Sequence, residues 1–179
     1  PVRCAGRSRA RRPGRARIAN AGAYTAVDRA EGEPGLAMAV NGAAPGILAE
    51  EARRLEIPLV HFSTDYVFDG AQARSYVETD PCAPANAYGR GKLAGEAAVR
   101  GSGAAHLVIR TSWLYAAKGD NFLHAILRLA RENETLRIVD DQIGAPTSAE
   151  WLAQATARIL ANTPPQGDRG GVLHAAAAG

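Results

Sequence analysis

The sequence predicts a doubly wound α/β domain, a parallel sheet covered by helices on both faces. Three observations lead there. From about residue 17 onward, short continuous apolar runs alternate with stretches whose apolar residues recur at helical spacing. The runs have few polar positions, as strands buried on both faces do. The 179 residues are 46% apolar and 22% charged, enough to enclose one core and too mixed for a disordered or collagen-like chain.

The elements follow in order. Residues 17–23 read as a modest strand ending in small residues. A helix is expected over 41–55, with Ala44, Ile47, Leu48, Ala52 and Leu55 on one face and Glu50, Glu51, Arg53 and Arg54 mostly on the other. The next strand is 58–63, followed by a helix over 88–100 that Asn86 is placed to cap. Strand 106–112, helix 122–132, strand 136–139, helix 149–160 and a last strand near 172–174 complete the pattern. Segment 162–168 and the loop 70–85 read as linkers.

Charge divides the chain in two. Residues 1–17 hold seven arginines and no acid, leaving 14 basic residues against 18 acidic ones in 18–179. A nucleic-acid arm or an organelle presequence would use such a run. No aromatic residue lies among these arginines for base stacking, and Gly6, Pro13 and Gly14 interrupt any amphipathic helix. Residues 1–17 are therefore expected to be a solvated tail, and 18–179 the folded domain. Neither nucleic acid nor membrane is an expected partner, since no apolar stretch approaches the roughly 18–20 residues a bilayer requires. A cytoplasmic location is expected. Cys4 and Cys82 stand alone, and His61, His106, His124 and His174 are too far apart for local metal spacing.

In doubly wound sheets ligands bind at the carboxyl ends of the strands. Three such ends carry polar clusters: 24–28, 63–70 and 112–115. Tyr88 and Lys92, four residues apart at the start of a helix, project from one face. A free phenol has a pKa near 10, and a cation within about 4–6 Å favours phenolate, lowering it by roughly 1–3 units. The pair thus reads as an acid/base, with Ser63 or Thr64 supplying a second hydroxyl to a carbonyl oxygen. Gly89-Arg90-Gly91-Lys92 follows no strand, so a phosphate loop is rejected.

Five strings extend the pattern: Ala23-Tyr24-Thr25-Ala26-Val27-Asp28, Ser63-Thr64-Asp65-Tyr66-Val67-Phe68-Asp69-Gly70, Tyr88-Gly89-x-x-Lys92-x-x-Gly95-Glu96, Arg110-Thr111-Ser112-Trp113-Leu114-Tyr115 and Asp140-Asp141-Gln142-x-Gly144-x-Pro146-Thr147. Together they resemble the dTDP-4-dehydrorhamnose reductases, extended short-chain dehydrogenase/reductases of Rossmann-like fold. The second and fifth strings are the most specific. The resemblance implies reduction of the C4 ketone of dTDP-4-dehydro-L-rhamnose by NADPH or NADH, giving dTDP-L-rhamnose for cell-surface polysaccharide. It implies that Tyr88 donates the proton, that Lys92 tunes it and binds the nicotinamide ribose, and that Thr64 polarises the carbonyl. Ala23, Tyr24 and Thr25 would line the cofactor, and Val27, Asp65, Tyr66 and Trp113 would contact the sugar nucleotide. Glu150 matches a glutamate that in some members binds magnesium at a dimer contact, so Mg2+ and a homodimer are carried as expectations.

The resemblance also implies a first Gly-rich βαβ unit that has no counterpart in residues 1–17, and further sequence after Gly179. A truncated Rossmann-like domain, weak in cofactor binding and activity, is therefore expected. Other readings are a different nucleotide-sugar reductase or epimerase of the superfamily, and a non-catalytic subunit like the regulatory subunit of methionine adenosyltransferase.

Overall fold

A computed structural model describes residues 16–119, 121–162 and 170–177. Nearly all of the basic tail and segment 163–168 lie outside the described residues. Four strands form one parallel sheet in the order β1 (Ile18–Asn20), β2 (Leu59–Thr64), β3 (His106–Thr111), β6 (Gly171–His174). Ile18 stands opposite Leu59, and Leu59 opposite His106. The same register brings Thr64 of β2 level with Thr111 of β3 at the carboxyl end. A parallel neighbour can be reached only by a crossover. Here α3 (Ala44–Arg54), α4 (Ala87–Gly101) and α6 (Ala149–Asn162) lie in the crossovers between successive sheet strands. The expected α/β class, with a parallel sheet and flanking helices, is what forms.

Each face has its own core. Leu59 and Val108 point to one side and join Ala49 and Ala52 of α3, Val99 of α4 and Ala104. Val60 and Ile109, the next residues along, point to the other and meet Leu152 and Leu160 of α6 and Ala175. The apolar runs of β2 and β3 thus feed both layers. Burying a side chain such as Leu59 or Ile109 is worth roughly 1.5–3 kcal/mol.

The helical region before β2 starts earlier than the apolar spacing predicts. Helices α1 (Val27–Gly32) and α2 (Pro34–Met38), the latter with proline in its first turn, lead through a π-turn at Ala39–Ala43 into α3. Pro45 has no N–H to return to the carbonyl of Asn41 four residues back, and such a gap favours a locally widened turn. Into this gap fits α4: a β-carbon on Gly95 would strike the Asn41 carbonyl, and one on Gly89 the Tyr66 carbonyl.

Residues 136–139, expected as a strand, are irregular. Ile138 and Val139 are 50% and 67% exposed. A strand forms only against a partner, and residues 136–139 pair with none of the described strands. The short parallel pair β4 (Leu114–Tyr115) and β5 (Thr147–Ser148) brackets this segment instead. Helix α5 (Phe122–Glu132) spans the residues expected, its first turn capped by Asn121 Oδ1, which accepts from His124 N–H at 3.1 Å. None of its residues is buried. Among the described residues no helix is long and apolar enough to cross a membrane.

His61 is wholly buried, and its Nδ1 lies 3.1 Å from the Asn20 amide nitrogen across the β1–β2 pair. With that amide donating to Nδ1, the ring proton sits on Nε2, which has no partner among the described residues. Burial, helped by the Lys92 cation, pulls the ring's pKa from 6.5 to about 3.

Two outcomes follow for stability. Gly95→Ala should lower it by about 1–3 kcal/mol through overpacking, although alanine is the better helix former. Gly35→Ala, which meets nothing within 4 Å, should not. Equal urea midpoints for the two variants would remove the close approach of α4 to the π-turn. His61 makes stability pH-dependent: the unfolded chain binds its proton from about 6.5 downward and the folded chain only near 3. The neutral ring's contribution is complete above pH 6.5 and is lost as pH falls toward 3, at about 1.4 kcal/mol per unit. The urea midpoint should fall between about pH 7 and 5, less steeply in His61→Gln; parallel profiles would refute the assignment.

Candidate active site

Asn86 starts α4 as expected: its Oδ1 accepts from Gly89 N–H at 2.7 Å. The helix then carries Tyr88, Lys92 and Glu96 along one stripe against the last residues of β2. Lys92 is 2% exposed, and its Nζ donates to the Phe62 carbonyl at 2.6 Å. Burial brings its pKa down to about 8, with Glu96 resisting. Ser63 donates to Glu96 Oε1 at 2.5 Å, so its hydroxyl is committed. Thr64 is therefore the alcohol left to face Tyr88. Its Oγ1 accepts from Tyr66 N–H at 3.2 Å and donates to Asp65 Oδ1 at 3.0 Å.

The phenol's electrostatics differ from the expectation. The spacing alone predicts that Lys92 draws Tyr88 toward phenolate. Instead burial pushes the Tyr88 pKa up, Asp65 and Tyr66 add to that, and the Thr64 hydroxyl is the neighbour that opposes it. The reason is geometric: the ammonium is engaged by the Phe62 carbonyl, and desolvation disfavours an anion in this position. Tyr88 is thus a protonated phenol at neutral pH. Its ring meets that of Tyr66 edge-on, centroids 5.7 Å apart.

The segment after β1 is held by a residue that spacing did not single out. Asn41, 1% exposed in the π-turn, accepts from Tyr24 N–H at 2.8 Å and donates to the Tyr24 carbonyl at 3.0 Å. An amide pairing with both backbone groups of one residue fixes the 23–25 segment as a strand neighbour would. The sequence signal was a polar residue amid an apolar helical stretch, just before Gly42 and Pro45. Tyr24 donates to Glu33 Oε2 at 2.6 Å and packs, with Tyr88, against Ala30, Ala37 and Ala87. Ala23 is half-buried and Thr25 exposed; Val27, expected in the loop, begins α1.

At the tip of β3, Trp113 has a φ of 44°, a left-handed conformation rare for a bulky residue. Its indole lies on Gly144, where a β-carbon would collide with the ring, and its carbonyl accepts from Thr147 N–H at 3.1 Å. Ser112 donates to the Ala145 carbonyl at 3.0 Å. These contacts join the 110–115 and 140–147 strings. Asp65 is half-buried, which pushes its carboxyl up, whereas Asp69 shapes its turn by accepting from Ala71 N–H and from the Tyr76 hydroxyl. Asp140 and Asp141 are exposed. Glu150 is exposed and accepts from Gln154 of its own helix. Among the described residues no group of three or more His, Cys, Asp or Glu side chains could hold a metal ion.

Behind the site lies a buried ion pair. Glu96 and Arg110 have side chains 1% and 4% exposed, with Nε to Oε1 at 2.9 Å and Nη2 to Oε2 at 2.7 Å. Arg110 also donates to Cys82 Sγ at 3.2 Å and lies over the Phe68 ring, 5.1 Å from its centroid.

Comparisons with known proteins find relatives along most of the chain. The family model described as the RmlD substrate binding domain matches residues 9–179. A dTDP-4-dehydrorhamnose reductase of Burkholderia thailandensis is 49% identical over 166 residues, covering 90% of this chain and 56% of that protein. The protein of the same name from Escherichia coli K12 is 47% identical over 165 residues, covering 90% and 54%. The crystal structure of dTDP-4-dehydrorhamnose reductase from Bacillus anthracis in complex with NADP superposes with a TM-score of 0.83 at 36% identity, over 90% of this chain and 56% of that one. The chain spans about half the length of the curated relatives it matches. On the match across most of its length, the chain belongs to the RmlD substrate binding domain family.

Proposed function

We propose that the protein reduces the C4 ketone of dTDP-4-dehydro-L-rhamnose with NADPH or NADH, giving dTDP-L-rhamnose in the cytoplasm. One observation carries the reading: a buried, protonated Tyr88 stands beside the Thr64 hydroxyl, with Lys92 one helical turn away, where parallel strands end. The names of the relatives at 47–49% identity support the substrate, and the NADP in the Bacillus anthracis structure supports the cofactor.

The donor set suits a nicotinamide nucleotide and a ketone. Thr111 Oγ1, level with Thr64 on the next strand, is buried without a partner among the described residues, which marks a polar position facing the strand ends. Ala23, Tyr24 and Thr25 form the wall on the β1 side, held by Asn41. A bound nicotinamide supplies hydride to C4 of the sugar.

The chain's own residues manage the proton. Tyr88 Oη gives its proton to the C4 oxygen as negative charge develops there, and Thr64 Oγ1 turns from Asp65 to donate to the same oxygen. The buried phenol is a ready acid because burial keeps it protonated. Lys92 acts afterwards: its ammonium is the positive charge available to the phenolate left behind. Asp65, Tyr66 and Val27 bound the sugar side, and Trp113 offers an indole face, 41% exposed, to the sugar ring. Two copies of the chain would each hold a complete set of these proton-transfer residues.

NADPH oxidation with the 4-keto sugar nucleotide tests the reading. Tyr88→Phe should slow turnover by about 10²–10⁴-fold while nucleotide binding persists. An undiminished rate would remove Tyr88 as the proton donor. In the unaltered protein the rate should decline as pH rises through about 8, because Lys92 loses its charge there. A rate still rising at pH 9 would exclude the ammonium from the step.

A further inference from the structure

Glu96 and Arg110 form a buried ion pair, and the proton transfer uses neither directly. Their positions are nevertheless tied to it. Three consecutive β2 residues meet three residues of one α4 stripe: Phe62 takes the Lys92 ammonium through its carbonyl, Ser63 donates to Glu96, and Thr64 stands by Tyr88. Glu96 is the central tie, one turn after Lys92 and two after Tyr88. Through Arg110 it also reaches β3.

We propose that Glu96 is a positioning residue for the Tyr88–Lys92 pair: its carboxylate, bound by Ser63 and Arg110, fixes the register of α4 on β2 and supplies the negative charge that keeps Lys92 cationic. This rests on the reading of Tyr88 and Lys92 as the proton-transfer pair. Both carboxylate oxygens are occupied, Oε1 by Ser63 and the Arg110 Nε and Oε2 by the Arg110 Nη2. Such a carboxylate is held against movement. The charged or titratable groups around Lys92 are Glu96 and Tyr88 on its own helix and His61 on β2, with Arg110 of β3 behind Glu96. Of these, His61 is neutral at working pH and Tyr88 is protonated. Glu96 is therefore the group that opposes desolvation of the ammonium.

The chain makes the test direct, because it has two lysines, Lys92 and Lys118. With 13Cε-labelled lysine, NMR can follow each titration separately and without any turnover. In Glu96→Gln, which keeps the side-chain shape and loses the charge, the Lys92 midpoint should move below about 8 by about 1 pH unit, while Lys118 stays in place. Because Glu96→Gln alone leaves Arg110 buried and unpaired, Glu96→Gln/Arg110→Met is the companion variant. It removes both charges, should fold, and should show a downward displacement that is smaller because the more distant Arg110 cation is gone as well. An unchanged Lys92 midpoint in the folded double variant overturns the proposal. Ser63→Ala, which keeps the charge and loses one tie, should leave the midpoint near 8 but lower kcat more than it raises KM; a rate loss confined to KM would also overturn the positioning role. If the Lys92 midpoint moves as stated while Tyr88→Phe keeps full activity, the Glu96 linkage stands and the reductase reading fails instead.

Discussion

The carboxylate of Glu96 inside the protein is the constraint on which the site depends. A charge out of water is costly unless it is paired and its remaining lone pairs are occupied. Glu96 meets both conditions only if α4, β2, β3 and the loop around Cys82 take one relative arrangement, because its partners are Ser63 and Arg110 and the latter's own partners include Cys82. A hydrophobic contact in the same place would tolerate sliding by part of a helical turn. A two-point guanidinium–carboxylate pair does not. The pair therefore contributes specificity of register more than net stability. Truncating either partner alone costs about 3–5 kcal/mol through the charge left behind.

From that fixed register follows an unusual division of protonation. Burial acts on Tyr88, Lys92 and His61 in the same sense, favouring the neutral form of each. For the phenol this means an acid that keeps its proton until a stronger base appears, namely an oxygen gaining negative charge. For Lys92 it means an ammonium held close to its tipping point, charged at neutral pH with help from Glu96. The pairing of a reluctant anion with a marginal cation makes the two interdependent. Once Tyr88 loses its proton, the Lys92 charge gains a partner and becomes more favourable. In the resting protein Lys92 is not among the groups that shift the phenol, because its ammonium is engaged by the Phe62 carbonyl.

The layers of the fold and the grouping of Tyr88, Lys92 and Thr64 could be read from the sequence because both rest on local patterns. Continuous apolar runs such as 59–62 and 107–109 can be buried only between two layers, and Tyr88 and Lys92 share a helix face whatever surrounds them. What could not be read depends on distant partners. The 136–139 run has the composition of a strand, but a strand forms only against a partner, and which segments pair is a property of the whole sheet. Asn41 and Glu96 look like ordinary helix polar residues until Tyr24 and Arg110 are brought against them from 17 and 14 residues away. The expected effect of Lys92 on Tyr88 failed for a related reason. Spacing gives the separation of two charges along a helix but not the depth of either, and depth decides the sign.

Helix α5 extends this distinction between a demand for burial and its fulfilment. Its apolar periodicity is strong enough to set both its ends from sequence, yet Phe122, Leu123, Leu127 and Leu129 are all at least 40% exposed. Trp113 and Leu114, across the same stretch of chain, are exposed as well. The Tyr88 cluster belongs to a different part of the structure. Tyr88, Lys92 and Thr64 are held by β2, β3 and α4, whose inward side chains are packed and whose charges are paired. Trp113 is instead held by backbone contacts to 144–147, a strained φ and the absence of a side chain at Gly144. Geometry around Tyr88 is therefore insulated from whatever contacts the α5 face. The position of Trp113 is not, since the indole and that apolar face share one continuous segment between β3 and α6.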